Sequence, residues 1–297
     1  MFIWIGAISQ GLGYAFLILG VYLTFRILDF PDLTVDGSLV TGAALTGILL
    51  VNDVHPAIAM PISFLIGSLA GLMTGLIHTK LKVAPLLSGI LTATSLYSIN
   101  LHIMGRSNLP LLNETTFVTL LNKLNLPLSE DLVILLFFLV LVILFRFLLV
   151  WFLHTDLGLA LRATGDNDAM ITAQGTNTDM TKIFGITLSN GLVALSGSLL
   201  AQYQGFVDVG MGIGMLVSGI ASVIIGETFF GKKSINLIIT GVILGSVIFR
   251  LLIALSLKVG LNPIDLKLVT AVFVLIALAL PHLKKVLGKS NRKSGLV

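Results

Sequence analysis

Long apolar runs alternate with short polar segments along the whole chain, and this alternation predicts membrane-spanning helices. A helix needs about 20 mostly apolar residues to cross a bilayer, and nine runs reach or approach that length. The predicted spans are residues 3–26, 38–52, 57–79, 83–104, 132–153, 181–204, 212–228, 234–257 and 268–283. The second and seventh runs are short and rich in small residues, so whether these two cross the bilayer fully stays open.

Composition supports an all-α, polytopic transmembrane bundle that forms one domain over residues 1–297. Of the 297 residues 56% are hydrophobic and 11% are charged, and the mean hydropathy is +1.04, which leaves too little polar surface for a soluble globule. The first 25 residues carry no charge, so they are expected to be a retained span rather than a cleaved signal. The chain has no cysteine, and its five histidines lack ligand spacing, so no metal site is expected.

The distribution of basic residues predicts the orientation. Lysine and arginine collect on the cytoplasmic side of membrane proteins. Thirteen of the eighteen lie inside if residues 155–178 and the C-terminus are cytoplasmic. The N-terminus and the loop 106–131 then face outward. The basic tail 284–297 is expected to touch anionic lipid rather than nucleic acid.

Small and polar residues within the spans indicate packing and candidate pathway positions. Gly67, Gly71 and Gly75 recur every four residues and predict a face where another helix approaches closely. Polar side chains in hydrocarbon must find partners or line a path. The candidates for lining a pathway are Asn100, Ser189 and Asn190.

The polar segment 155–178, which we call the island, separates two long apolar runs. Asp156 can cap a first short helix, Gly165 can break it, Asp166 or Asn167 can start a second, and Gly175 can end that one. Two short helices would make a compact surface for a partner, although an ordinary solvated loop remains the alternative.

The island resembles a segment of ABC importer permeases of the branched-chain amino acid and ribose superfamily. The pattern matches at Thr155, Gly158, Leu161, Arg162, Ala163, Gly165, Asn167, Ala173 and Gly175. The resemblance implies that residues 157–175 form a cytoplasmic coupling helix seated in an ATPase subunit. The residues implied in coupling are Gly158, Leu161, Arg162, Ala163, Gly165, Asp166, Asn167 and Gly175.

Two further stretches narrow the resemblance. Residues 29–38 (DFPDLTVDGS) and 86–108 are similar to permeases that accompany tryptophan- or tyrosine-type binding proteins. Asp32 and Asp36 could contact a substrate amine, or they could serve in helix capping and interfacial solvation.

The resemblance implies a function without catalysis or a bound cofactor in this chain. Residues 226–234 (GETFFGKKS) nearly spell a phosphate-binding loop, but Lys233 stands where a hydroxyl is needed, so ATP hydrolysis is expected on a separate chain. Glu227 is expected in a cytoplasmic loop. The implied partners are that ATPase, an extracellular or periplasmic substrate-binding protein and a second permease copy, in a bacterial cell membrane.

The resemblance to ABC importer permeases predicts translocation of a small solute, an amino acid of aromatic or branched-chain type. A secondary transporter or channel is the alternative. An intramembrane enzyme is disfavoured because no credible catalytic pair lies within a span.

Overall fold

The computed structural model describes residues 2–123, 127–231, 234–262, 265, 268–276 and 278–279. Within these residues the chain is almost entirely helical, and the order of the elements follows the predicted runs. The elements are α1 (Phe2–Val21), a π-helical turn (Tyr22–Ile27), α2 (Thr34–Val51), α3 (Pro56–Lys80), α4 (Pro85–Met104), β1 (Asn108–Pro110), α5 (Phe117–Asn122), α6 (Glu130–Leu153), α7 (Asp156–Asp166), α8 (Asp168–Ala173), α9 (Thr178–Gln204), β2 (Phe206–Asp208), α10 (Met215–Phe230) and α11 (Ile235–Lys258).

Seven helices in the described part of the chain are long and apolar enough to cross a membrane. They correspond to seven of the predicted runs. The second run is longer than predicted because α2 begins at Thr34, four residues early. The ninth predicted span begins with helical residues 268–276, but its end and the basic tail lie outside the described residues, as does Lys232.

Helix α9 lies at the centre of the bundle. Burial covers 83% of its apolar window but only 28% of the windows of α4 and α6. Helices α1, α2 and α3 pack around α9, and α6 packs on α1. The outer helices therefore have broad faces left for lipid or for another chain.

Close backbone approaches explain the many small residues in the spans. A β-carbon at Gly42 would lie 2.6 Å from the Ala194 Cα, so α2 and α9 touch backbone to backbone. The predicted face of α3 is confirmed: Gly67 and Gly71 pack on α9 near Asn190, and Gly75 packs on Ile183. Van der Waals packing through small residues is how helices associate in lipid, where apolar burial gives little advantage.

Helix α10 has only 16 residues and is about 24 Å long, which is short for a bilayer. The short strand β2 and a run of turns at residues 209–214 precede it. Strand β2 pairs antiparallel with β1 near Gly47, and Gly212 then contacts the Asp36 backbone, so this segment descends along α2 by about 16 Å. The shortness predicted for the seventh run is explained by this segment, which is non-helical but rests on the bundle, as irregular backbone at membrane depth must.

Candidate functional site

The island folds into the two short helices that its sequence predicts, α7 and α8. The Thr155 hydroxyl accepts the Gly158 N–H at 3.3 Å, and the Asn167 side chain accepts the Met170 N–H at 3.0 Å. Asn177 caps α9 in the same manner. Gly175 adopts φ +89°, a left-handed conformation that glycine takes easily, and it follows the end of α8.

Two local predictions about the island are wrong. Asp156 lies in the first turn of α7, but the cap is Thr155. Gly165 does not break α7, which continues through it to Asp166. The reason is tertiary: a β-carbon at Gly165 would lie 2.8 Å from the Ile27 carbonyl carbon and closer still to its oxygen. Glycine is required there for close approach rather than for helix termination.

The side of α7 that carries Gly158, Leu161 and Gly165 faces the bundle. Leu161 is fully buried, and its side chain meets Leu28 above Gly185. Gly158 packs on the end of α6 at Leu153, where a β-carbon would lie 2.6 Å from the Leu153 Cα. Gly158, Leu161 and Gly165 therefore attach the island to the membrane helices, while Arg162 and Ala163 are half-buried.

The opposite side of the island is exposed and partly apolar. Asp166, Asn167 and Gly175 lie on it. Leu157 is 63% exposed and Met170 is 55% exposed, and Leu159 is exposed beside them. Sequence reasoning missed these apolar residues, because a hydrophobic residue in a polar segment is ordinarily assigned to the core.

Ion pairs hold the island and the turn between α3 and α4 against α9. The Lys182 ammonium donates to the Asp168 carboxylate, which joins α8 to α9 and lowers the pKa of Asp168 below its usual range. Lys82, in the turn between α3 and α4, lies 3.6 Å from Asp179. The island and this turn thus share one end of the bundle, and the β1–β2 pair lies at the other.

A third ion pair, between Arg26 and Glu227, joins the end of the first span to α10. The Arg26 guanidinium donates to both Glu227 oxygens, at 2.6 and 2.5 Å. Glu227 was expected in a loop, but it lies inside α10 with its side chain 7% exposed. No local signal could find this pair, since 201 positions separate its members.

Three of the five candidate pathway residues are fully buried inside the chain. Asp32 accepts the Thr34 N–H at 2.9 Å and the Asn190 amide at 2.7 Å, and Ser38 donates to the same Asn190 side chain. Ser189 donates to the Gly20 carbonyl. Asp32, Ser189 and Asn190 are at most 1% exposed, so they hold α9 to α1 and to the start of α2 rather than line a cavity.

The other two candidates, Asp36 and Asn100, line a shared cavity of about 250 Å³. The Asp36 carboxylate accepts the Gly214 N–H at 3.0 Å and the Leu216 N–H at 2.9 Å, so it caps α10 and not its own helix α2. The Asn100 amide nitrogen donates to the Gly37 carbonyl at 3.4 Å, whereas Asn100 Oδ1 is buried without a hydrogen-bond partner. The cavity is completed by Gly37, Val40, Ala93, Thr94, Tyr97, Val209 and Ile213.

The exposed faces of α4 and α6 differ in chemistry. The C-terminal half of α4 exposes Thr94, Ser95, Tyr97, Ser98 and His102. The exposed side of α6 is apolar along its length. It carries Leu136, Leu139, Val140, Ile143, Leu144, Phe147, Leu148 and Trp151. Lipid suits the second face, while the first is suited to water, solute or another protein chain.

Comparison with known proteins places these features in a family. Residues 3–279 match the family described as the permease component of branched-chain amino acid transport systems. The chain is 44% identical to the tyrosine transport system permease protein of Clostridioides difficile, over 97% of this chain and 95% of that one. It is 33% identical to an uncharacterized protein of Rickettsia prowazekii, over 94% and 98% of the two chains. It is 26% identical to the ribose import permease protein of Haemophilus influenzae, over 91% and 80%.

No solved structure matches the chain. Permeases of this type are membrane subunits of ABC transport systems and are not enzymes. They work with an ATPase and a substrate-binding protein. The apolar helices agree with a multi-pass membrane protein. The match over residues 3–279 shows that this chain belongs to the family of branched-chain amino acid transport permease components.

Proposed function

We propose that this chain is the membrane subunit of an ATP-driven importer that moves an amino acid, of aromatic or branched-chain type, across a bacterial plasma membrane. The island and the C-terminus face the cytoplasm, and two permease copies surround the pathway. An extracellular binding protein delivers the solute to the side that carries residues 106–131. A separate ATPase subunit binds the island.

The attachment of the island to the membrane helices carries the coupling proposal. Leu161 and Gly165 hold α7 against Ile27 and Leu28, at the end of the π-helical turn. The other side exposes Leu157 and Met170 for a partner. A partner that pulls on the exposed side therefore acts on the connection between α1 and α2, because no flexible linker intervenes.

The charge distribution supports the proposed orientation. Lys82 and Lys182 lie at the island end with their acidic partners, and Arg26 ends the first span there. Strands β1 and β2 lie at the opposite end, within and beyond the loop predicted to be extracellular. Basic residues mark the cytoplasmic side.

The polar face of α4 supports the location of the pathway. It meets the cavity of Asp36 and Asn100, next to the N-terminus of the short helix α10. A polar strip beside an interrupted span is where transporters place their solutes. The amino-acid assignment is supported by the relative from Clostridioides difficile, whose name assigns it to tyrosine transport.

The test is ATP-dependent uptake in proteoliposomes that contain the permease, its partner ATPase and its partner binding protein. Uptake of labelled tyrosine should require all three and ATP. A Leu157→Glu, Met170→Glu double variant should lose the ATPase on co-purification, because two charges would be buried in the contact.

Leu112→Glu is the matched control, since Leu112 is 81% exposed but lies in the loop predicted to be extracellular. It should keep the ATPase. Uptake by the permease alone on an ion gradient would instead establish a secondary transporter. Retention of the ATPase by the double variant would refute the docking surface.

A further inference from the structure

The cavity between α2, α4 and the segment before α10 presents hydrogen-bond acceptors that its surroundings leave incompletely used. Asn100 is 1% exposed, and its Oδ1 has no donor. A buried acceptor without a partner costs about 1–3 kcal/mol, so such a group in a native structure requires an explanation. A ligand that brings an N–H or O–H donor supplies one.

Asp36 adds a second acceptor and a negative charge. The Gly214, Met215 and Leu216 N–H groups at the start of α10 donate to this carboxylate, which has about four acceptor sites, so one site is left for a further bond. None of the ion pairs between described residues involves Asp36. The N-terminus of α10 compensates the charge only in part, since a helix end is equivalent to about half an elementary charge.

Apart from Thr94, the remaining wall of the cavity is apolar and aromatic. Val40, Val209 and Ile213 surround the space together with the Tyr97 ring. At about 250 Å³ the cavity is near the lower limit of about 300 Å³ for ligand pockets, so it takes a small molecule. The wall suits an aliphatic or aromatic side chain.

We infer that this cavity binds the ammonium group of the transported solute through Asp36 and Asn100 Oδ1 and places the solute's apolar side chain against Tyr97 and Ile213. This inference rests on the proposed function and deepens it. The permease itself then selects primary ammonium compounds, in addition to any selection made by the binding protein. A sugar can donate hydroxyl groups to Asp36 but does not compensate its negative charge, which an ammonium group does.

The experiment measures binding of labelled L-tyrosine to the full chain in lipid nanodiscs, with neither ATPase nor binding protein present. Unlabelled tyramine keeps the ammonium and lacks the carboxylate, whereas 3-(4-hydroxyphenyl)propionate keeps the carboxylate and lacks the ammonium. Tyramine should compete, and the propionate and ribose should not. Asn100→Leu should weaken tyrosine binding about tenfold, because it removes a hydrogen bond to a charged group.

The matched control is Asn236→Leu, which makes the same change at an exposed position in the first turn of α11, outside the cavity. It should bind tyrosine like the wild type. Competition by the propionate equal to that by tyramine overturns the inference, and so does unchanged binding by a folded Asn100→Leu variant. The analogue series needs only wild-type protein, so it decides the question even if Asn100→Leu does not fold.

Failure of the inference and failure of the proposed function are separable. Absence of saturable tyrosine binding in nanodiscs overturns the ammonium site. ATP-driven uptake in the complete proteoliposome system would then still stand. Conversely, binding with the predicted analogue pattern but without any ATP-driven uptake would retain the site and refute the importer.

Discussion

Replacement of Gly165 by alanine tests whether close attachment of the island to the membrane helices is required for transport. The new β-carbon would lie 2.8 Å from the Ile27 carbonyl carbon, whereas ordinary contact begins near 3.4 Å. The Ile27 carbonyl oxygen would lie closer still, so helix α7 must withdraw by more than about an ångström. Overpacking of this kind costs about 1–3 kcal/mol in well-packed sites.

The expected result is a loss of coupling without a loss of the membrane fold. The seven candidate spans do not depend on α7, so the inserted amount of protein should equal that of the wild type. ATP-driven tyrosine uptake in the reconstituted system should fall about tenfold, which corresponds to about 1.4 kcal/mol and lies within the overpacking range. Accessibility of residues 155–178 to protease in inverted vesicles should rise, since the island is held less closely.

Gly175→Ala is the control on the same segment. A β-carbon at Gly175 meets nothing within 4 Å, so the substitution strains the local backbone at φ +89° but displaces neither α7 nor the bundle. Its effect on uptake should be smaller than that of Gly165→Ala. Wild-type uptake by Gly165→Ala, or equal damage by both variants, would refute the proposed role of the close contact.

Three further substitutions test the polar contacts that hold the bundle together, each by thermal unfolding of the detergent-solubilised protein monitored by size-exclusion chromatography. Asn190→Leu should destabilise the protein by about 3 kcal/mol, because it leaves the buried Asp32 carboxylate with one donor fewer. Thr46→Val should cost about 1–3 kcal/mol, since its hydroxyl joins two buried serines. Glu227→Gln should cost about 2 kcal/mol, less than a fully buried pair, because the Arg26 side chain is 42% exposed. If the unfolding temperature of one of these variants equals that of the wild type, the stabilising role of the contact removed in that variant is refuted.

Features with a local cause were predictable from the sequence. Apolar runs of about 20 residues predicted helices that the structure contains, and the four-residue spacing of Gly67, Gly71 and Gly75 predicted a packing face. Asp166 or Asn167 was predicted to start the second helix of the island, and the structure has Asn167 in that position. In each case the responsible residues lie within one or two turns of one another, so the period of the helix carries the information.

Features with a distant cause were not predictable. The helix that Asp36 caps begins about 180 positions later in the chain, and the partner of Arg26 is 201 positions away. The early start of α2 has a similar origin, since Asp32 holds the Thr34 N–H while Asn190 of a distant helix holds Asp32. A single sequence that is not aligned with its relatives contains no signal for such pairs, because each partner also has an ordinary local role.

The contacts suggest how force on the island could reach the cavity. Helix α7 rests on Leu28, four residues before Asp32, and Asp32 holds the start of α2, from which Asp36 caps α10. A contiguous path does not by itself establish coupling, which requires an element with two arrangements that both sites bias.

Helix α10 is the candidate for such an element: Asp36 holds its first turn, Arg26 holds its last turn, and it packs closely on α11 between them. The turns at residues 209–214 that precede it add no helical stiffness. A shift of α10 would change the cavity wall at Ile213 while leaving the packing of α9 intact. Coupling should therefore fail in variants that weaken either end of α10, whereas variants on the lipid face of α6 should transport normally.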